Sequence, residues 1–270
     1  MRDVAFGQFI PGKSVIHKLD PRIKLILLVL YIVLTFCTFN YAALSVPLIL
    51  AVVFMLLSRI SIKQYMKSMK AVLVIIIITS ILNLFYGNGD VVFQFGFLKI
   101  TDSAINNAIF IVVRILCLII ASATLTFTTS PTDLTDALER LMKPLKVFHV
   151  KVHSIAMMMT IALRFVPTLL EETDKIMLAQ KARGADMESG GILKRAKSLI
   201  PVLIPLFLSA IQRALDLAMA MECRCYHGGE GRTRMKTLTL KSRDTLSLVF
   251  FGLVITTIIL FDIFIVHTKR

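Results

Sequence analysis

The run Gly7-Gln8-Phe9-Ile10-Pro11-Gly12-Lys13-Ser14 matches the phosphate-binding pattern GxxxxGK[ST] letter for letter. Such a loop holds phosphates only when a strand precedes it and a helix N-terminus follows, so that backbone N–H groups ring the anion. Here only Met1 to Phe6 come before the match, and Val15 to Arg22, with Pro21, leads straight into an apolar segment. No soluble parallel sheet is on hand to supply an acidic partner, so the match is coincidental and no nucleotide site is expected. The four cysteines add no chemistry: Cys37 and Cys117 lie in apolar runs, and Cys223 and Cys225 in a basic stretch. With no CxxC pair and no histidine at ligand spacing, neither a disulfide framework nor a metal site is expected. A credible nucleophile with its base is also missing, which makes the chain non-enzymatic, without a cofactor of its own.

Two arginines draw attention by position. Lys181-Ala182-Arg183-Gly184 closes one long helical pattern, and Glu222-Cys223-Arg224-Cys225-Tyr226 closes the next. Capping explains part of this, since a cation at a helix C-terminus offsets the dipole by about 0.3–1 kcal/mol and glycine is an ordinary residue just past the end. Both helices are amphipathic and both end alike, however, and a planar guanidinium suits bidentate pairing with a partner's carboxylates. Met157, Met158, Met159, Met177, Met219 and Met221 sit on the same two helices. Core filling is the simple reading of them; a soft surface that adapts to differently shaped partners is the functional one. Arg114 and Asp262 fall inside apolar segments, where snorkelling is expected and a mutual pair is the alternative.

The elements that must carry these residues belong to a membrane protein. The 270 residues are 56% hydrophobic with a mean hydropathy of +0.78, outside the soluble range. A net charge of +14 suggests nucleic acid at first sight, but runs such as Leu25 to Phe39 and Val249 to Val266 speak for a bilayer instead. The start of the chain lacks the short apolar core and small-residue cleavage site of a secretory signal, so a retained N-terminus is expected.

A bilayer core of about 30 Å takes roughly 20 apolar helical residues. Five spans satisfy this approximately: Ile23 to Phe39, Ala42 to Leu57, Ala71 to Tyr86, Ala104 to Phe127, and Thr245 to His267. Lysine and arginine in the short connections set the orientation. Arg2, Lys13, Lys18 and Arg22 precede the first span, and Arg59, Lys63, Lys67 and Lys70 separate the second from the third. The N-terminus is thus expected in the cytoplasm, with Gly87 to Ser103 outside.

Residues 129–243 carry much of the remaining charge. Ser130-Pro131-Thr132-Asp133 reads as an N-cap, a proline at the first helical position and an early acid, opening a short helix that stops before Pro144. A second helix runs from about Lys151 to Arg183 and a third from about Ile192 to Tyr226. Val152 to Leu170 and Leu199 to Met221 are apolar enough to be read as two further spans. Arg164, Arg213 and Asp216 weigh against that, at a few kcal/mol each when unpaired at the bilayer centre. The expected organisation is an all-α membrane protein: residues 1–128 with four spans, 129–243 as cytoplasmic amphipathic helices, and 244–270 with the last span.

The residues also carry a resemblance over almost the whole chain. Pro11-Gly12-Lys13-Ser14, His17-Lys18-Leu19-Asp20-Pro21-Arg22-Ile23-Lys24-Leu25, Ser130-Pro131-Thr132-Asp133-Leu134 and Arg164-Phe165-Val166-Pro167 are its first half. Ala179-Gln180-Lys181-Ala182-Arg183-Gly184, Glu222-Cys223-Arg224-Cys225-Tyr226 and Gly229-Glu230-Gly231-Arg232-Thr233 complete it. Together they resemble the transmembrane T component of energy-coupling factor (ECF) transporters, the EcfT family, which is related to CbiQ of cobalt uptake systems.

The resemblance implies a scaffold in the cell membrane that joins two cytoplasmic ATPases, which bind the ATP, to an S component that captures a vitamin or a metal ion. It also implies that Ala-Arg-Gly signatures at two helix ends dock into the ATPases. Ala182, Arg183 and Gly184 keep the first signature unchanged; at the second only Arg224 is kept, flanked by Cys223 and Cys225. Met157, Met158, Met159, Met219 and Met221 would then face the S component. An ion-gradient-driven secondary transporter would show inverted repeats, and none is evident. A membrane-anchored interaction protein fits the topology but leaves the signatures unexplained.

Overall fold

The computed structural model describes residues 9–38, 40–84, 91–95, 98–185, 191–228 and 240–268, with the backbone alone for 91–95, 98–100, 192 and 258–268. The chain divides into two units, one formed by residues 1–137 with 237–270 and the other by residues 138–236.

In the first unit the helices are α1 (Pro21–Cys37), α2 (Tyr41–Ser58), α3 (Ile62–Leu84), α4 (Asp102–Thr128) and α9 (Ser242–Thr268), the last numbered in chain order after those of the second unit. Two of the starts are capped by the side chain just before them. Asp20 caps α1 by accepting from the N–H of Arg22, and Pro21 occupies a first-turn position whose missing N–H would have no partner anyway. Thr101 caps α4 through the N–H of Ala104. Toward the start of α4 a short antiparallel pair, β1 (Val91–Phe95) and β2 (Leu98–Thr101), adds strand to an otherwise helical chain, with an irregular register between Val91 and Phe93. Helix α3 begins nine residues before the apolar run expected for it, because Ile62 to Lys70 continues the same helix with lysines at 63, 67 and 70.

Helix α4 is the axis of this unit and packs against α1, α2 and α3, while α9 packs on α1 and α2. The core gathers Tyr31, Leu34, Leu50, Ala51, Cys117, Ala121 and Phe251. Small residues on α4 let its neighbours close in, and the rings of Tyr31, Phe54 and Phe251 fill the space between; Phe54 and Phe251 are stacked at 5.9 Å. Buried hydroxyls find partners inside the helices, as they must where no water reaches. Tyr31 donates to the carbonyl of Pro47 at 2.9 Å, and Tyr65 joins Ser58 and Thr124, each at 2.9 Å.

Arg114 reaches the end of α1. Its guanidinium donates to the carbonyl of Thr38 at 2.6 Å and lies over Phe110 at 4.7 Å and Phe36 at 5.7 Å. It therefore satisfies an acceptor at the open C-terminal end of α1 and spreads its charge over two aromatic faces. The side chain of Asp262, the alternative partner, lies outside the described residues.

The second unit takes in only the end of α5 (Pro131–Leu141), then a 3₁₀ turn (Lys143–Phe148), α6 (Val152–Ala182), α7 (Ile192–Ser198) and α8 (Ile200–Glu222). At the start of α5, Ser130 Oγ accepts from the N–H of Asp133 at 3.1 Å, the N-cap that the sequence predicts, and donates to the Asp133 carboxylate at 2.7 Å. The single helix expected from Ile192 to Tyr226 is in fact two. Pro201 at the start of α8 lacks the N–H that would continue the ladder, and the chain re-caps at Leu199.

Among the described residues, five helical stretches are long and apolar enough to cross a membrane: α2, α3, α4, α6 and Leu193–Glu222, which takes in α7 and α8. The first three correspond to expected spans. The other two are the helices that the sequence reading places beside the bilayer, while α1, at 17 residues, is shorter than these five.

Candidate functional site

Helices α6 and α8 of the second unit run antiparallel, as two contacts fix. Near the start of α6, Met157 Sδ accepts from the hydroxyl of Tyr226, beyond the end of α8, at 2.9 Å. Farther along α6, Glu172 pairs with Arg213 and accepts from Ser209 Oγ at 2.6 Å. Residues 157 to 172 on one helix are thus matched by 226 to 209 on the other. The Arg213 charge, which weighed against a membrane position when unpaired, has this carboxylate as its partner.

The antiparallel course decides where the two arginines lie. Arg183 follows the last residue of α6, and its N–H bonds back to the carbonyls of Ala179 and Gln180. Gly184 then adopts φ +86°, the left-handed turn that stops the helix, with nothing within 4 Å of where a Cβ would stand. Glycine is needed there for its backbone freedom and not for space. Arg224 follows α8 in a tighter turn in which Cys225 takes φ +56°, and the N–H of Tyr226 returns to Met221 at 3.1 Å. From Met157, beside the Arg224 end, to Arg183 is about 40 Å of helix at about 1.5 Å per residue. The arginines therefore occupy opposite ends of the pair, and both are exposed, as are Ala182, Gly184, Cys223 and Cys225.

The methionines separate by the same geometry. Met157, Met158 and Met159 near the start of α6 and Met219 and Met221 near the close of α8 come to the Arg224 end, whereas Met177 lies toward the other. Met158 and Met219 are exposed, and Met157, Met159 and Met221 are half-buried. At the base of α6, His153 Nδ1 lies 3.2 Å from Glu139 Oε1, linking the close of α5 to the first turn of α6.

No metal-holding group of three or more His, Cys, Asp or Glu side chains occurs among the described residues. Part of the phosphate-loop look-alike is described, and it does not form the required geometry. Ser14 to His17 is a turn, and Ser14 Oγ is occupied by His17 Nδ1 at 2.6 Å. Gly7 and Gln8, like the stretch Gly229 to Thr233, lie outside the described residues.

This chain's residues 12–237 match the family model of the cobalt transport protein CbiQ. The energy-coupling factor transporter transmembrane protein EcfT of Thermosediminibacter oceani is 49% identical over 94% of this chain and 96% of its own length. The chain belongs to the EcfT family. EcfT proteins of Ruminiclostridium cellulolyticum, at 50% identity over 91% of this chain and 92% of the relative, and of Bacillus subtilis, at 42% over 92% and 93%, agree with it. As an EcfT-family member the chain is a multi-pass transmembrane component of an ECF transporter.

Sequence reasoning singled out the helix-end arginines and the methionines, but it missed the pairing of Glu172 with Arg213 and the tie between Tyr226 and Met157. Both join residues far apart in the chain. Arg213 does interrupt a largely apolar stretch, but Glu172 stands among Glu171, Asp174 and Lys175, where nothing in the sequence marks it out.

Proposed function

We propose that this EcfT-family chain couples two cytoplasmic ATPase subunits to a substrate-binding S component, with Arg183 docking one ATPase and Arg224 the other. The observation that supports this reading is the placement of the two arginines at opposite ends of an antiparallel pair, about 40 Å of helix apart. Two separate bodies can grip such a pair without competing for one surface. Ala182 and Gly184 flank the first arginine, and Cys223 and Cys225 the second. Exposure of both guanidiniums leaves their donors ready for a partner's carboxylates or helix-end carbonyls.

In this mechanism the N-terminus is cytoplasmic, α6 and α8 lie against the cytoplasmic face, and the partner ATPases bind and hydrolyse the ATP. Closure of the ATPases on ATP moves the two arginine ends, the helices shift against each other, and the bound S component reorients to release a vitamin or metal ion inside. Met157, Met158, Met159, Met219 and Met221 form the soft surface for the S component, and their gathering at one end of the pair suits a single receiving site.

Purification of the full complex with Arg183→Ala and Arg224→Ala tests the proposal. Each single variant should lose part of the ATPase complement and the double variant nearly all of it, with substrate uptake falling in step. Unchanged ATPase co-purification together with unchanged uptake in the double variant would defeat the reading. The side of the membrane is tested separately by a cysteine at Gly191: an impermeant thiol reagent added outside intact cells should leave it unmodified.

A further inference from the structure

Among the described residues, the buried charged side chains are Asp20, Lys24 and Asp244, and all three belong to one cluster in the first unit. Lys24, on the first turn of α1, donates through Nζ to the carbonyl of Thr128 at 2.9 Å and to Thr129 Oγ1 at 3.2 Å. The N–H of Asp20 donates to Asp244 Oδ1 at 2.9 Å, and Asp244 Oδ2 accepts from the N–H of Lys241 at 2.8 Å. The carboxylates of Asp133, Asp20 and Asp244 all bear on the Lys24 charge.

The segment before α1 is tied to the same place. Ile10 donates its N–H to the carbonyl of Phe127 at 3.0 Å, and His17 is held between Ser14 Oγ and the carbonyl of Ile10 at 2.6 and 2.9 Å. Gly12 lies so close to that ring that a Cβ would stand 2.7 Å from His17 Cε1. Residues of three of the motif stretches, which the docking surface does not use, thus meet in one polar knot.

The position of the knot along the chain gives it meaning. The chain leaves the first unit after Ala137 and returns at Thr237. Lys24 holds residues 128 and 129, shortly before the departure, while Asp20 holds Asp244 shortly after the return. Sites 104 and 224 residues apart in sequence are thereby fixed to one turn of α1. A buried charged network stabilises little compared with apolar packing of the same volume, so its physical advantage is in specifying one arrangement.

We propose that this knot is a clamp that fixes both chain crossings to α1, so that movement of residues 138–236 is delivered to α4 and α9 instead of being lost in slack connections. Lys24 is its central positioning residue. The inference rests on the coupling role proposed above, because a lever transmits only when its supports are held.

The test uses the complex of this chain with its ATPases and S component, reconstituted in lipid vesicles. The probe is whichever of radiolabelled cobalt ion and radiolabelled water-soluble vitamins the wild-type complex accumulates. The readout is probe accumulated per ATP hydrolysed. That ratio is insensitive to mere loss of folded protein, which lowers uptake and hydrolysis together. Lys24→Met should keep the ATPases bound and hydrolysing while the ratio drops at least about fivefold. Thr129→Val removes one acceptor without touching the charge; it should drop the ratio less, and it carries the test alone if Lys24→Met does not assemble. A wild-type ratio in every variant that assembles would overturn the clamp alone. Wild-type complex without ATPases would overturn the coupling reading, and the clamp with it.

Discussion

The two units are held together by different physics. Residues 1–137 with 237–270 enclose an aromatic and aliphatic core and a knot of buried charges, whereas residues 138–236 bury little more than Val152, Ala156 and Val202 among the described residues. In the second unit, α6 and α8 are joined by a partly exposed ion pair and a tyrosine–sulfur contact, and large side chains such as Phe207, Leu203 and Leu208 remain uncovered. Uncovered apolar side chains occur in the first unit as well, Ile75, Ile78 and Leu82 of α3 among them, so it is the buried core that separates the two. The first unit thus has a core of its own, and the second is held mainly by contacts along one pair of helices.

This contrast can be broken or sharpened by substitution. The largest effect belongs to the double change Arg183→Ala with Arg224→Ala. Truncating one partner of a buried charge pair costs about 2–5 kcal/mol, so the two together should abolish capture of the ATPases. The melting temperature of the chain alone in detergent should stay put, because both arginines are exposed; a large drop would mean that they hold the chain's own fold. Next comes Phe251→Ala, which empties the stack against Phe54 and should lower stability by about 3–5 kcal/mol, visible as a lower melting temperature of the isolated chain. A substitution there that leaves the melt unchanged would erase the distinction between the units.

Gly184→Ala should have a smaller and local effect. An alanine at φ +86° costs about 1 kcal/mol in backbone strain, which should speed hydrogen exchange at the last turn of α6 without altering the first unit. Smallest of all is Glu172→Gln, which removes the charge facing Arg213 on a solvent-accessible surface and should move the melt far less than Phe251→Ala. Added salt should shrink its effect further. If Glu172→Gln instead rivals Phe251→Ala, the two long helices are held as a core and not as an adjustable pair.

Much of this architecture is legible in the sequence, for reasons that are local. Apolar runs report α2, α3 and α4, and the Ser130 to Asp133 cap is read correctly because capping depends on residues three apart. The break at Leu199 is also a local event, marked by Pro201 and by the change from the basic Lys194 to Lys197 to the apolar run that follows, and it is missed by a reading that takes the stretch as one helix. What periodicity does not reveal is partnership across the fold. Lys24 with Thr128, Asp20 with Asp244, and Arg114 with Thr38 join distant residues, so each cation or acid looks in the sequence like a side chain reaching for an interface. Of the candidate site, the residue types and helix ends are legible; the antiparallel course that sends the arginines to opposite ends is not, since it depends on which face of α6 meets α8.

The unequal make-up of the two long helices has a last consequence. Arg183 terminates an α6 of 31 residues, while Arg224 terminates an α8 of 23 residues whose run-in is broken at Leu199. If two ATPases grip these ends as proposed, even identical motors would hold dissimilar handles, one unbroken and one jointed. Any asymmetry between the two strokes of a cycle would then originate in this single chain, before any difference between the motors is considered.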